Sequence, residues 1–279
     1  MLELNIITIN DNEFELISKL VYDQFGIKLT EKKKALVIGR LQKVLKKLGF
    51  HKFSDYYNYV INDSSKLAIS ELINQISTNY TYFYREGKHF DFFLKVALPE
   101  IIEKLKKSRS NDIRIWCAGC SSGEEAYTLA MLLMEYLDKD YRFWNAGILA
   151  TDISEKALNV AKEGIYTTNE ISSLPKTYIQ KYFKRLNEDK WEVSEKLRKE
   201  VTFRRFNLMN NVYPFKGEFH IVFCRNVLIY FDSITRTKII GNIHQFLIPN
   251  GYLFIGHSES LGREQNLFKY LLPAVYKKN

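Results

Sequence analysis

The stretch IRIWCAGCSSGEEAYTLAMLL, residues 113–133, decides the fold. Its first part, Ile113–Cys117, is a short apolar run that reads as a strand. The run breaks into AGCSSGEE, a turn of small residues that lets the backbone approach a ligand closely. An amphipathic run from Ala126 to Leu137 follows and reads as a helix, whose first turn offers free N–H groups. A strand, a small-residue turn and a helix in this order resemble the first loop of nucleotide-type cofactor folds. The dinucleotide fingerprint G-x-G-x-x-G is missing, and no Gly-Lys-Ser/Thr follows, so the turn is neither a dinucleotide loop nor a P-loop.

Glu124 and Glu125 stand where a phosphate cradle has no use for negative charge. They repel a pyrophosphate and favour a cation such as a sulfonium or an amine. They also complement the positive end of a helix dipole, so by themselves they leave both readings open. Ala146–Thr151 forms a second strand, with Asp152 at its carboxyl end, where an acid accepts hydrogen bonds from ribose hydroxyls. The pair of signals favours a nucleoside cofactor without a phosphate.

Outward from this unit, strands and helices alternate. Ser154 caps a helix that stops near Gly164. Val201–Phe206, Phe219–Cys224, Tyr252–Gly256 and Ala274–Lys277 read as strands, and Ser233–Leu247 as a helix. The alternation predicts a parallel sheet with helices on both faces and a ligand at the carboxyl ends of the strands. Residues 11–77 differ. Phe14, Ile17, Val21 and Phe25, then Ala35, Ile38, Leu41, Leu45 and Leu48, recur at helical spacing. Thr30 is the expected cap of the second helix, Gly49 its left-handed end, Ser54 the cap of a third, and Ser65–Ile76 a fourth.

The composition is that of a folded chain: 279 residues, 46% hydrophobic and 26% charged, which excludes a disordered, collagen-like or coiled-coil protein. No apolar run approaches the length of a bilayer span, and MLELNIITINDNEFE has no basic region expected of a secretion signal. Three cysteines, Cys117, Cys120 and Cys224, suit a reducing cytoplasm better than a disulfide framework. They are too few for a four-cysteine zinc site and read as buried thiols, so no metal is expected. Lys and Arg number 41 against 32 Asp and Glu, a net charge of +9. Residues 28–52 hold nine Lys or Arg and one acid, Glu31. Lys32, Lys33, Arg40, Lys43 and Lys47 can share one broad face, either solvated or used to dock an acidic partner.

Five stretches together carry a family resemblance: ISTNYTYFYREGKHF (76–90), WCAGCSSGEEAYTLAM (116–131), ILATDIS (148–154), FCRNVLIYFD (223–232) and GYLFIGHSES (251–260). In order and spacing they resemble CheR-type chemotaxis receptor methyltransferases over nearly the whole chain. The resemblance implies a class I methyltransferase-like, Rossmann-like α/β domain (111–279) with a mostly parallel sheet and a small β insert at about 165–200. It implies an all-helical N-terminal domain (1–77) before it, joined by a linker and connecting helix (78–110). It implies S-adenosyl-L-methionine as donor, S-adenosyl-L-homocysteine as product, and a glutamate side chain on the cytoplasmic helical bundle of a chemoreceptor as acceptor. The enzyme would then be cytoplasmic and reach the membrane only through its receptor.

Carried over residue by residue, Asn79, Thr81 and Arg85 match linker positions that contact the cofactor, and Gly119 lies in the loop around it. Glu124 or Glu125 matches the acid near the methionine amine, and Asp152 the ribose acid. Asn207 and Leu208 match the pair flanking the adenine, Arg225 and Asn226 the pair after the fourth strand, and Tyr230 a tyrosine facing the methyl. Arg85 and Tyr230 are the expected catalytic residues, Arg85 holding a carboxylate of either cofactor or substrate. Its alternative role is a salt bridge with Glu86 or Asp91. His89, His244 and His257 are assigned no catalytic role. A carboxylate acceptor is ionised at neutral pH, so transfer to it needs orientation and desolvation rather than a strong base.

Some family members bind a receptor's C-terminal pentapeptide through a Gly-rich loop of the β insert. The matching stretch here, YFKRLNEDKWEV (182–193), is shorter and has no Gly, so tether-independent docking is expected. Nucleic-acid methyltransferases often carry Asn/Asp-Pro-Pro-aromatic after the fourth strand. CRNVLIYFD has no Pro-Pro, so nucleic acid is not an expected partner.

Overall fold

The computed structural model describes residues 6–279, the side chains of 263–265 excepted. Residues 1–5, the start of the stretch read above for a secretion signal, lie outside that description. Four helices come first: α1 (Asp11–Phe25), α2 (Lys34–Leu48), α3 (Phe53–Asn62) and α4 (Leu67–Ile76). A capping box of Asn10 and Glu13 starts α1. Gly26 and Gly49 end α1 and α2 at φ 71° and 75°, the left-handed conformation that glycine adopts without a Cβ clash. Phe14, Ile17, Val21, Leu41, Leu45, Leu72 and Ile73 fill the core of this bundle.

Three expected helix starts shift. Thr30 opens a 3-10 turn, Glu31–Lys33, without a side-chain cap bond, so α2 begins four residues later. Helix α3 begins at Phe53, because the Ser54 N–H is taken by Glu13 Oε1 at 2.8 Å. Helix α4 begins at Leu67, because the Asp63 carboxylate accepts the Ala68 and Ser65 N–H groups at 2.7 and 3.0 Å.

The linker leads into α5 (Gly87–Phe92), a five-residue π-helical segment (Phe93–Ala97) and α6 (Leu98–Lys107). Then come β1 (Asp112–Ala118), α7 (Glu124–Leu137), β2 (Asn145–Asp152) and α8 (Glu155–Glu163). The insert follows as β3 (Ile165–Thr167), α9 (Thr168–Ile171), α10 (Lys176–Tyr182), β4 (Phe183–Arg185), β5 (Lys190–Val193) and α11 (Glu195–Arg198). The chain ends with β6 (Val201–Arg205), β7 (Phe219–Cys224), α12 (Ser233–Gln245), β8 (Leu247–Ile255), β9 (Phe268–Leu272) and β10 (Val275–Lys278).

Seven strands form the main sheet in the order β6-β2-β1-β7-β8-β10-β9. The run from β6 to β8 is parallel, and β10 lies antiparallel to both neighbours. This is the mostly parallel, Rossmann-like sheet that the family resemblance implies. The insert is a separate antiparallel sheet, β3-β5-β4.

Period-2 alternation, with both faces covered, explains why the buried stretches of the central strands are apolar on both sides. Ile113, Ile115 and Cys117 of β1 enter the core on one face of the sheet, with Leu129, Met131 and Phe223. Trp116 and Ala118 enter the other, where Trp116 packs edge-on against Phe206, Tyr213 and Phe215 and donates its ring N–H to Thr151 Oγ1 at 2.9 Å. All three cysteines are buried and free, and burial pushes their thiols well above the usual range, so they remain protonated packing groups. No described helix is long and apolar enough to cross a membrane.

The bundle closes over the carboxyl end of the sheet. Ile27 forms a β-bridge with Phe231, and the Lys28 N–H donates to the Tyr230 carbonyl at 3.0 Å. Asn207 Nδ2 donates to the Gln24 carbonyl at 2.8 Å, and Tyr22 Oη to Asp232 at 2.6 Å. A cavity is left at this seam.

Candidate active site

The cavity holds about 290 Å³ and lies where β1 and β2 end and where the bundle, the linker and the loop after β7 converge. Of the residues singled out from the sequence, it brings together Asn79, Thr81, Arg85, Gly119, Glu125, Asp152, Asn207, Leu208, Arg225, Asn226 and Tyr230, with Lys33 at its bundle side.

Asp152 is buried at the tip of β2. Its two carboxylate oxygens accept the Ser121 and Ser154 N–H groups, both at 2.8 Å. Burial raises this carboxyl and the backbone N–H bonds oppose the rise. Each oxygen keeps a lone pair for a ligand hydroxyl. Ser121, held at φ 50°, also donates its hydroxyl to the Asn79 carbonyl at 2.8 Å, tying the linker to the loop. Gly119 sits at φ 81°, and a Cβ there would stand 2.2 Å from Val227 Cγ2. The loop therefore approaches the cavity as closely as bare backbone allows.

Helix phase separates the two glutamates. Consecutive helical residues point about 100° apart, so only one of them can face the cavity. Glu125 does. Glu124 turns inward, 3% exposed, and accepts a hydrogen bond from Ser122 Oγ at 2.8 Å, so of the two alternatives it is Glu125 that lines the cavity. Burial pushes its carboxyl up to about 7.

Glu125 faces the buried guanidinium of Arg225 at 2.5 Å, and Glu86 faces the same guanidinium at 3.1 Å. Burial acts to raise Glu86, but Arg225 and Asn226 hold it below the ordinary carboxylate range. Glu86 and Asn226 both adopt left-handed backbone, at φ 58° and 57°, conformations costly enough to persist only where surrounding contacts over-determine them. Here those contacts are the Asn226 Nδ2 bond to Glu86 at 3.3 Å and the Glu259 carboxylate, which accepts the N–H groups of Gly256, Asn226 and Ile229. Glu86 and Glu259 are the site residues the sequence reading missed. Glu86 was considered only as a partner of Arg85, and Glu259 only as part of GHSES.

Arg85 pairs with neither Glu86 nor Asp91. Its guanidinium donates to the Tyr80 carbonyl at 2.9 Å and lies 5.8 and 5.9 Å from the Tyr80 and Tyr82 ring centres. Arg85 lines the cavity. Tyr230 donates to the Thr78 carbonyl at 3.4 Å, and Lys33 Nζ stands 5.6 Å from its ring centre.

Chain-wide comparison agrees with the cavity. A model of the CheR methyltransferase all-alpha domain matches residues 12–77, and one of the CheR methyltransferase SAM-binding domain matches residues 79–276. The chain belongs to the CheR methyltransferase family. A chemotaxis protein methyltransferase of Borreliella burgdorferi is 47% identical over 273 residues, 98% of this chain and 96% of the relative. The chemotaxis protein methyltransferase of Escherichia coli K12 is 34% identical, covering 97% and 92%. A probable chemotaxis protein methyltransferase of Rhizobium etli is also 34% identical, covering 92% and 96%. The chain is therefore a methyltransferase of chemotaxis that uses S-adenosylmethionine, and the cavity lies within the matched SAM-binding domain.

The basic segment of this CheR chain is not one uniform face. Lys32, Lys43 and Lys47 are exposed. Arg40 is not free for docking. Its guanidinium donates to the Ile76 and Ser77 carbonyls at 2.6 and 3.0 Å and to Thr78 Oγ1 at 3.0 Å, closing the end of α4. Only tertiary structure reveals that partner, 36 residues away in sequence.

Proposed function

We propose that this CheR protein transfers the methyl group of S-adenosylmethionine to glutamate side chains on the cytoplasmic helical bundle of chemoreceptors, forming methyl esters. The observation that carries this reading is the make-up of the cavity. Acids stand where a sulfonium nucleoside would place its cationic and hydroxyl groups. The described lining includes no histidine, and both of its carboxylates are already engaged, by Arg225 or by backbone N–H. Such a site is poorly equipped to deprotonate an amine or a hydroxyl and well suited to an acceptor that arrives ionised.

The residues present fit the cofactor. Asp152 has spare acceptor capacity for ribose, Glu125 for the methionine amine, Asn207 and Leu208 for the adenine edge and face, and Gly119 admits the chain without a side chain in the way. When bound, S-adenosylmethionine supplies an electrophilic methyl. The protein's part is then geometric. Arg85, held by Tyr80 and Tyr82, presents a planar fork to a carboxylate. Tyr230 lines the approach, and its tie to Thr78 fixes the ring. Lys33, beside Tyr230, adds a cation at the bundle side of the same entrance. Charge is lost as carboxylate meets sulfonium, so closing the entrance against water favours transfer.

Lys33, Leu36, Lys43 and Lys47 follow one another at helical spacing, and the first two line the cavity. That row supports docking of a receptor helix along the 3-10 turn and α2, with Lys32, Lys43 and Lys47 meeting its acids and its glutamate entering beside Lys33. The hairpin of β4 and β5 turns through Asn187, whose side chain accepts the Asp189 and Lys190 N–H groups at 3.0 and 2.8 Å. That compact turn supports docking without a C-terminal tether, and titration calorimetry with a receptor-tail pentapeptide is expected to show no micromolar binding. The activity is tested by supplying methyl-labelled S-adenosylmethionine to receptor-containing membranes. Label that leaves as methanol in base supports carboxyl esters. Base-stable label, or none, refutes the proposal.

A further inference from the structure

Behind the cavity, on the far side of Arg225, three side chains are brought together that methyl transfer does not use: Glu86 from the linker, His89 from α5 and His257 from the loop after β8. Their ligand atoms all lie within 4.8 Å of one another. We propose that they form a binding site for a divalent transition metal ion, zinc by its donor set, and that filling this site weakens the cofactor cavity.

His89 is wholly buried, and neither ring nitrogen has a hydrogen-bond partner. Leaving a buried imidazole unsatisfied is costly, and such a group calls for an explanation. His89 Nδ1 lies 3.4 Å from Glu86 Oε2. Two ligands at zinc bond lengths of about 2.0–2.1 Å in a tetrahedron stand about 3.3 Å apart, so this pair already has the spacing of two ligands on one ion. The Pro273 carbonyl lies near the imidazole without closing a hydrogen bond to either nitrogen, the kind of outer group that can orient a ligating histidine. His257 Nε2 is 4.0 Å from the same Glu86 oxygen, and its ring centre is 4.4 Å from that of His89. Its side chain is 45% exposed, so it has room to swing the further ångström or so that closes the set, and the fourth position lies toward solvent. Two imidazoles and a carboxylate with one open position are a recurrent zinc ligand set.

Charge agrees. Arg225 is the one guanidinium facing both Glu86 and Glu125, which leaves the cluster one formal negative charge in excess. Coupling to the cavity follows from the shared carboxylate. Glu86 holds Arg225 and Asn226, both of which line the cavity, and a metal ion drawing on Glu86 loosens them.

The test uses tag-free full-length protein freed of metal by chelation. One equivalent of Co²⁺ is expected to give the visible d–d bands of tetrahedral cobalt, and Zn²⁺ to displace them. His257→Ala, a change at a half-exposed residue, is expected to abolish the bands. His51→Ala, at an exposed histidine elsewhere, is expected to keep them. His89→Gln is a second variant, with circular dichroism as the folding control. In calorimetry, saturating Zn²⁺ is expected to weaken S-adenosylhomocysteine binding about tenfold in the wild type and not in His257→Ala. Absence of bands at one equivalent, or bands that survive His257→Ala, overturns the site. Unchanged cofactor affinity in metal-loaded protein overturns its coupling to the cavity. Neither result bears on the receptor-methylation reading, which the methanol assay tests separately.

Discussion

Arg225→Leu tests whether the charge-paired wall of the cavity is built as described. The side chain is 0% exposed and faces Glu86 and Glu125, themselves 15% and 12% exposed. Leucine fills much of the space but leaves two carboxylates without their cation. Breaking a buried pair from one side costs about 3–5 kcal/mol, because the orphaned charge remains desolvated. At about 2–4 °C per kcal/mol for a domain of this size, the melting temperature should fall by about 6–20 °C. Trp116, Trp144 and Trp191 are the chain's three tryptophans and all lie from β1 onward, so fluorescence-detected unfolding reports the α/β domain without the bundle. The pH dependence has a definite sign. In the wild type Arg225 holds Glu86 below the ordinary carboxylate range. Its contribution is therefore complete above the unfolded carboxyl value and is lost as pH falls through the lower folded value. In the leucine variant burial is no longer offset by the guanidinium, only partly by the Asn226 bond, so Glu86 rises from its wild-type value and protonation relieves the variant. The gap between the two proteins should be largest near neutral pH and narrow toward about pH 4.5. Adding Glu86→Gln should restore part of the loss. A gap below about 1 kcal/mol at neutral pH, or one that does not change with pH, refutes a structural ion-paired Arg225.

Three further outcomes are expected. Asp152→Asn turns one acceptor oxygen into a donor opposite the Ser121 or Ser154 N–H. Losing a charged hydrogen bond worth about 1.5–3 kcal/mol should weaken S-adenosylhomocysteine binding roughly 10- to 150-fold in calorimetry. Arg85→Ala should lower kcat on receptor membranes by about 10²-fold while leaving the fluorescence melting curve in place, since the side chain supports no core contact. Near wild-type turnover would remove Arg85 from the mechanism. Replacing Lys32, Lys43 and Lys47 together by Glu should raise the receptor KM about tenfold or more at low salt, with the difference shrinking at high salt. Arg40→Ala is the control, because it uncaps α4 and should lower bundle stability by about 1 kcal/mol in circular dichroism rather than act through salt-dependent docking.

Strand β1, its turn and α7 were legible because everything that specifies them is local: an apolar run, small residues, then helical spacing. The same holds for Asp152, since the residue at the carboxyl end of the second strand of such a unit meets the crevice whatever the rest of the chain does. The family motifs added positions scattered from 79 to 230, and the fold collects them around one cavity. Helix starts were less legible. Thr30, Ser54 and Ser65 carry capping chemistry, but Glu13 and Asp63, reaching from elsewhere or from just upstream, decided which N–H groups were free.

What no local pattern specifies is which partner a charged side chain meets. Glu124 and Glu125 are chemically identical neighbours, and the rotation of α7 against the sheet alone turns one to the cavity and the other into the interior. Arg40 belongs to the end of α4 rather than to a docking face, and Glu86 to Arg225, 139 residues away. Apolar periodicity is read along the chain because hydrophobic burial has no direction. Ion pairs and imidazole clusters are directional and short-ranged, so they exist only once the sheet, linker and loops have been brought within a few ångströms of one another.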